Sequence, residues 1–157
     1  WELDLSAIEE AYKAGVKVHA LCNPHNPLGR LYSRNELVAI ADLAAKYGVI
    51  VLSDEIHAPL TYDFSKFIPF LSVNENAANV GIVVTSASKG WNLAGLKSAI
   101  IITQVDERHK QLDRLPMAVH FRSSLLGAFA AVAAFRDGEA WLNSPRMMSI
   151  RSLVRTD

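Results

Sequence analysis

The residues best suited to chemistry in this sequence are a lysine, Lys89, and the small polar residues around it. Two hydroxyl side chains, Ser86 and Ser88, precede this lysine, and a second cation, Lys97, follows it. The apolar run 80–84 stops abruptly at this segment, so Lys89 is expected where a parallel sheet presents the carboxyl ends of its strands. A lysine that is pushed toward its neutral form in such a crevice is a nucleophile for carbonyl groups.

Two other polar side chains follow predicted strands in the same way. Asp54 comes after the apolar run 49–52, and Asn26 lies in the loop 23–29, which is rich in proline, asparagine and glycine. A carboxylate that ends a buried strand is expected to have lost water and to need a cationic partner. An acid, an amide and a lysine suit a carbonyl cofactor such as pyridoxal phosphate. This cofactor needs a lysine for its Schiff base, an acid at its ring nitrogen, and donors for its phenolic oxygen and phosphate.

Alternating helix and strand patterns predict the frame that holds these residues. Strands are predicted over 17–21, 49–52, 80–84 and 98–103. Helices are predicted from a cap at Asp4 or Ser6 to Gly15, from the capping box Ser33-x-x-Glu36 to Gly48, over 106–115, and over 123–136. Short connections between the two kinds of element predict an α/β fold, with α/β/α layers and a mainly parallel sheet.

Three segments carry more detailed expectations. The unbroken apolar run 49–52 predicts a strand that is covered on both faces of the sheet. Helix 123–136 is apolar nearly all round, which predicts that it is buried. The polar segment 74–79 is interpreted as a connector without regular structure.

Composition limits the possible partners and compartments. The chain has 157 residues, of which 50% are apolar and 20% are charged, which is typical of one globular domain. Its 16 basic and 16 acidic residues cancel, so neither nucleic acid nor a membrane is expected as a partner. No segment predicts a membrane span or a signal peptide, so a cytoplasmic protein is expected. The single cysteine, Cys22, predicts no disulfide and no metal site.

Three motifs in order resemble a known family. They are Asn-Pro-x-Asn-Pro-x-Gly at 23–29, Ser-Asp-Glu-Ile-His at 53–57, and Ser-x-Ser-Lys-x-x-Asn-Leu-Ala-Gly-Leu-Lys at 86–97. Together they resemble the class I/II aminotransferase family of fold-type I pyridoxal phosphate enzymes, and especially the cystathionine and cysteine-S-conjugate β-lyases of the MalY/PatB group. The resemblance implies that residues 1–142 are a central part of the large, cofactor-binding domain and that 143–157 is an atypical tail.

The resemblance implies roles for the residues nearest the cofactor ring. Lys89 resembles the Schiff-base lysine, which also serves as the general base once the substrate amine has displaced it. Asp54 resembles the partner of the ring nitrogen, and Asn26 resembles the donor to the phenolic oxygen. His57 stands where many aminotransferases have a tyrosine, and a histidine there is typical of the lyases.

The resemblance also implies phosphate ligands. Ser86 and Lys97 resemble the residues that bind the cofactor phosphate, and Ser88 is a further candidate. Lys97 departs from the arginine that is common at this position, so the charge is present without the two-pronged contact of a guanidinium group.

The implied activity is a carbon–sulfur β-lyase reaction on cystathionine or a cysteine S-conjugate, which releases a thiol, pyruvate and ammonia. An aminotransferase is the alternative within the family, because both reactions begin with loss of the substrate's α-proton. The family also implies a homodimer and an amino acid substrate. Since the sequence opens at Trp1 without a methionine, a fragment that is inactive alone, or that acts only as a binding module, is the alternative of another class.

Overall fold

The computed structural model describes residues 2–62 and 66–144. Its strands are β1 Val18–Cys22, β2 Ile50–Asp54, β3 Gly81–Thr85 and β4 Ile100–Ile102. Its helices are α1 Leu5–Lys13, α2 Arg34–Tyr47, α3 Glu75–Val80, α4 Asp106–Leu112, α5 Met117–His120 and α6 Leu125–Asp137. Short 3₁₀ turns span Ala58–Leu60, Phe70–Ser72 and Ala94–Leu96, and residues 139–144 are also helical.

The sheet brings the ends of its parallel strands side by side. The strand order is β1-β2-β3-β4, with β1, β2 and β3 parallel and β4 antiparallel to β3. Cys22 lies opposite Asp54, which in turn lies opposite Val84. Main-chain hydrogen bonds from Asn23 to Asp54 (3.0 Å) and from Glu55 to Val84 (2.9 Å) extend the pairing past the strand ends. The prediction of an α/β fold with a mainly parallel sheet is confirmed.

Helix α2 supplies much of the core on one face of the sheet. Its apolar stripe is fully buried at Leu37, Ile40, Ala41 and Ala44, and this stripe packs in one cluster with residues of β1, β2 and β3. The predicted capping box opens the helix, because the Ser33 hydroxyl accepts from the Glu36 N–H at 3.3 Å and the Glu36 carboxylate accepts from the Ser33 N–H at 2.8 Å.

The starts of two helices differ from what the sequence predicted. The structure selects Asp4 as the cap of α1, since its carboxylate accepts from the Ala7 N–H at 2.9 Å. Ser6 lies inside the helix, and the Glu9 carboxylate accepts from the Tyr47 hydroxyl at 2.7 Å, which ties α1 to α2. The interpretation of 74–79 as an irregular connector is wrong. Asn74 caps the helix α3 by accepting from the Ala77 N–H at 2.8 Å.

Two predictions of burial are also wrong for the described residues. Leu52 of β2 is 36% exposed, so one face of this strand is open. Helix α6 buries only the small residues Gly127, Ala131 and Ala134. Its large residues point outward, with Leu125 72% exposed. The apolar residues on all sides of α6 could each be buried by a neighbouring surface. Within the described part of the chain, only the narrow stripe of small residues is covered.

The remaining elements are shorter than predicted. Strand 98–103 is observed only as β4, at the edge of the sheet, and helix 106–115 is observed as α4. The predicted tail 143–157 lies outside the described residues except for 143 and 144. No helix within 2–62 and 66–144 has the length and hydropathy needed to cross a membrane.

Candidate functional site

Lys89 lies in a tight turn that follows β3. The Trp91 N–H donates to the Ala87 carbonyl at 3.0 Å and closes this turn. The Trp91 indole N–H donates to the Gly138 carbonyl at 2.8 Å, and its ring lies edge-on to Phe135 with 5.1 Å between centroids. The turn is thus fixed by its neighbours, while the Lys89 side chain is exposed.

Close packing at Gly90 fixes the same turn from the other side. A Cβ at this position would lie 2.8 Å from the Pro59 Cβ, a distance shorter than real carbon contacts. Only glycine allows this approach, so the segment after β2 and the turn after β3 are held against each other beside Lys89.

Ser86 and Ser88 form a hydroxyl pair at the end of β3. Ser86 is buried, and its hydroxyl donates to the Ser98 carbonyl at 2.6 Å. The two serine Oγ atoms are 2.7 Å apart, and the Ser88 N–H donates to the Ser86 Oγ at 3.0 Å. Because a hydroxyl has one proton and a carbonyl can only accept, the Ser86 proton is committed to Ser98. The Ser88 hydroxyl then donates its own proton to the Ser86 Oγ, so it must rotate away from Ser86 before it can donate to an incoming anion.

Lys97 has an unusual backbone conformation. Its φ is 53°, which is left-handed and is uncommon for any residue with a side chain. It follows the turn Ala94–Leu96 and lines a cavity of about 790 Å³ together with Ser86 and Ser88. Strained backbone of this kind is concentrated at functional sites. The larger cavity thus unites all the side chains that were predicted to bind phosphate.

Asp54 is exposed, which contradicts the expectation that it has lost water. Side chains alternate along a strand, so Asp54 shares the open face of β2 with Leu52, while Ser53 faces the core. The carboxylate Oδ1 of Asp54 accepts from the Ile56 N–H at 3.1 Å. Its Oδ2 can therefore accept a hydrogen bond from a bound molecule.

Asn26 and His57 line a smaller cavity of about 410 Å³. The loop that carries Asn26 is held where it leaves β1, since the Asn26 main-chain N–H donates to the Cys22 sulfur at 3.4 Å. His25 lines this cavity as well. Its Nδ1 is buried and has no hydrogen-bond partner in the described part of the chain.

The structure brings five of the predicted residues together in two groups: Ser86, Ser88 and Lys97 line the larger cavity, and Asn26 and His57 line the smaller one. Ile56 lines the larger cavity and its neighbour His57 lines the smaller one, so this segment borders both. Lys89 and Asp54 line neither of these two cavities, although Asp54 ends β2 and Lys89 follows the adjacent parallel strand β3. The individual roles of the predicted site residues remain predictions.

The buried acid of the second motif is Glu55, to which the sequence assigned no role. Its carboxylate accepts from the Phe70 N–H at 2.8 Å and from the Ser53 hydroxyl at 3.1 Å. Burial raises the pKa of Glu55, these two hydrogen bonds lower it, and the Asp54 charge raises it further, with a raised pKa as the result. Glu55 therefore ties the start of the 3₁₀ turn Phe70–Ser72 to the end of β2.

Replacing Glu55 is expected to affect stability in two distinct ways. Glu55→Ala leaves the Phe70 N–H buried without an acceptor and is expected to lower the free energy of unfolding by about 1–3 kcal/mol. Glu55→Gln keeps an acceptor but cannot ionise. Because the folded pKa is raised, the folded chain holds its proton longer, so the Glu55 contribution to stability falls as pH rises above the ordinary value of 4.5. Urea unfolding across this range should show that fall in the unaltered chain and a weaker one in Glu55→Gln.

Known proteins resemble this chain in both sequence and structure. A Mycobacterium leprae protein provisionally assigned as a cystathionine β-lyase is 43% identical in an alignment of 150 positions, which covers 90% of this chain and 37% of that protein. The cystathionine β-lyase of Corynebacterium glutamicum is 40% identical over 142 residues, which are 90% of this chain and 38% of that enzyme. The chain therefore spans well under half the length of these relatives.

A solved structure supports the same relationship. The pyridoxal phosphate-bound C-S lyase from Staphylococcus hominis superimposes with a TM-score of 0.81 at 29% identity, over 94% of this chain and 37% of that one. The sequence profile described as aminotransferase class I and II matches residues 1–152. The order of the three motifs, the parallel strand ends that carry them and these matches agree, and the chain belongs to the aminotransferase class I and II family.

Proposed function

We propose that this chain forms the cofactor-binding core of a pyridoxal phosphate-dependent carbon–sulfur β-lyase. The substrate would be cystathionine or a cysteine S-conjugate, and the products a thiol, pyruvate and ammonia. The observation that carries the proposal is the 40% identity with the cystathionine β-lyase of Corynebacterium glutamicum across 90% of this chain. An aminotransferase is the second candidate, because the family profile that matches the chain is named for that activity.

The side chains of the larger cavity fit the phosphate group of this cofactor. Lys97 supplies a positive charge, and Ser88 supplies a hydroxyl donor. No carboxylate is among the described residues that line this cavity. A phosphate would therefore meet donors and a cation there, without repulsion from a neighbouring acid.

The remaining predicted residues fit the ring of the cofactor. When bound, pyridoxal phosphate supplies an electron sink for the charge that is left on the substrate's α-carbon. The Asp54 Oδ2 would accept from the ring nitrogen and keep it protonated. The Asn26 amide would donate to the phenolic oxygen, with His57 beside it in the same cavity.

Lys89 has two tasks in this proposal. Its Nζ would hold the cofactor covalently before the substrate arrives. Once released, the neutral amine would take the proton from the substrate's α-carbon. The exposed side chain on a rigid turn suits both tasks, because Nζ can move while the backbone stays in place.

Product analysis tests the choice between the two activities. The chain would be inserted in place of the matching segment of the Corynebacterium glutamicum enzyme, which supplies the flanking parts. With cystathionine, we expect pyruvate release that does not depend on added 2-oxoglutarate. Release of glutamate only when 2-oxoglutarate is present would favour the aminotransferase. Cofactor binding with neither product would leave a binding module.

The assembly and the compartment of the protein are also proposals. A homodimer is supported by the family resemblance and by the exposed large apolar residues of α6, which are suited to cover by another surface. A cytoplasmic location and an amino acid substrate rest on the resemblance to enzymes of amino acid metabolism.

A further inference from the structure

The larger cavity carries more positive charge than the motif residues account for. Besides Lys97 it is lined by Arg122, and His109 and His120 contribute imidazole groups. Within residues 2–62 and 66–144, no salt bridge joins Lys97 or Arg122 to an acid. The chain as a whole has no net charge, so this excess is local. Cations that share a cavity without an acid are stabilised when an anion binds between them.

Hydrogen bonds of the next two residues hold Arg122 close to the segment that carries Lys97. The Ser124 N–H donates to the Lys97 carbonyl at 3.0 Å, and the Ser123 hydroxyl lies 3.4 Å from the Ser98 hydroxyl. Ser124 is also the cap of α6. Arg122 therefore lies two residues before a helix start that is bonded directly to the Lys97 carbonyl.

Arginine and lysine contribute differently to phosphate binding. The ammonium group of Lys97 is a point charge, whereas the guanidinium group of Arg122 can donate two parallel hydrogen bonds to two phosphate oxygens. We propose that Arg122 is a phosphate-binding residue of this site, which provides the two-pronged contact that Lys97 cannot make. The inference rests on the proposed function, because it takes the cofactor phosphate as the anion.

Paired ligands with and without phosphate test this role. The dissociation constants of pyridoxal phosphate and of pyridoxal, which has the same ring and aldehyde, would be measured by absorbance titration of the full chain. For Arg122→Gln we expect the dissociation constant of pyridoxal phosphate to rise about tenfold or more and that of pyridoxal to stay unchanged. The Arg122→Lys variant should bind pyridoxal phosphate with an affinity between those of the unaltered chain and Arg122→Gln. Arg114→Gln removes an exposed arginine that does not line the cavity and should change neither constant.

Each other outcome has a definite meaning. If Arg122→Gln binds pyridoxal phosphate as tightly as the unaltered chain, the inference is wrong and the proposed function stands. Equal loss of both ligands would point to a general structural effect and would also overturn the inference. If the unaltered chain, shown to be folded by circular dichroism, binds neither ligand, the proposed cofactor site itself fails and the inference fails with it.

Discussion

The Lys89→Ala variant is expected to retain no pyridoxyl group after incubation with pyridoxal phosphate and reduction with borohydride. The unaltered chain is expected to carry one such group on the peptide that contains Lys89. The difference follows from chemistry, since an alanine methyl group cannot condense with an aldehyde. Peptide mapping by mass spectrometry measures both outcomes. In the chimeric enzyme, the same substitution is expected to lower pyruvate release by about a thousandfold or more.

The structure separates this effect from a loss of folding. The turn around Lys89 is held by main-chain bonds and by the Trp91 side chain, and none of these contacts uses the lysine side chain. Since Lys89 is exposed, its truncation should leave the unfolding midpoint nearly unchanged. A large drop in that midpoint would show that Lys89 is structural.

Two matched variants complete the experiment. Lys89→Arg keeps the positive charge but not the reactive amine, so it should also lack the adduct. Lys110→Ala removes an exposed lysine of α4 and should keep the adduct on Lys89. If Lys89→Ala is still labelled at the level of the unaltered chain, the lysine assignment is wrong. Labelling that disappears in Lys110→Ala would contradict it equally.

The neighbourhood of the strand ends was predictable because it depends on chain order. Parallel strands present their carboxyl ends at one edge of a sheet, so residues that follow such strands converge whatever their distance in sequence. Asp54 and the loop that holds Asn26 are an example, since β1 and β2 pair in register up to Cys22 and Asp54. The capping box at Ser33 was equally predictable, because its contacts are local.

Burial at single positions was less predictable, because it depends on what covers each face. The run 49–52 is apolar throughout, yet its last residue, Leu52, is exposed. Of the two acids that follow the run, Asp54 is exposed and Glu55 is buried. Periodicity within a strand identifies its two faces but not the layer that packs on each. Arg122 had no motif around it, and only the fold of 122–124 onto Lys97 brings it into the cavity.

Helix α6 packs closely on the segment 96–98 at Gly127. We therefore expect Gly127→Ala, which adds a single methyl group, to reduce both stability and cofactor binding. A Cβ on Gly127 would overlap the Leu96 carbonyl oxygen and lie 3.0 Å from the Ser98 Cβ. In an exposed helix, alanine would gain about 1 kcal/mol over glycine. Overpacking against main chain costs about 1–3 kcal/mol, so we expect a net loss of up to about 2 kcal/mol in the free energy of unfolding, measured in urea. Because the strain falls beside Lys97, pyridoxal phosphate should also bind more weakly, while pyridoxal is affected less.

Gly95→Ala is the matched control, since a Cβ at Gly95 would meet no atom within 4 Å. It lies in the same turn, Ala94–Leu96, that Gly127 packs against. Each variant therefore adds one methyl group to one side of the contact between α6 and the turn Ala94–Leu96. Only Gly127→Ala forces these two segments apart. We expect Gly95→Ala to match the unaltered chain in unfolding midpoint and in both dissociation constants. If Gly127→Ala is as stable as Gly95→Ala and binds the phosphate ligand equally well, α6 does not hold the phosphate cavity in shape, and the contact between Gly127 and Leu96 is dispensable.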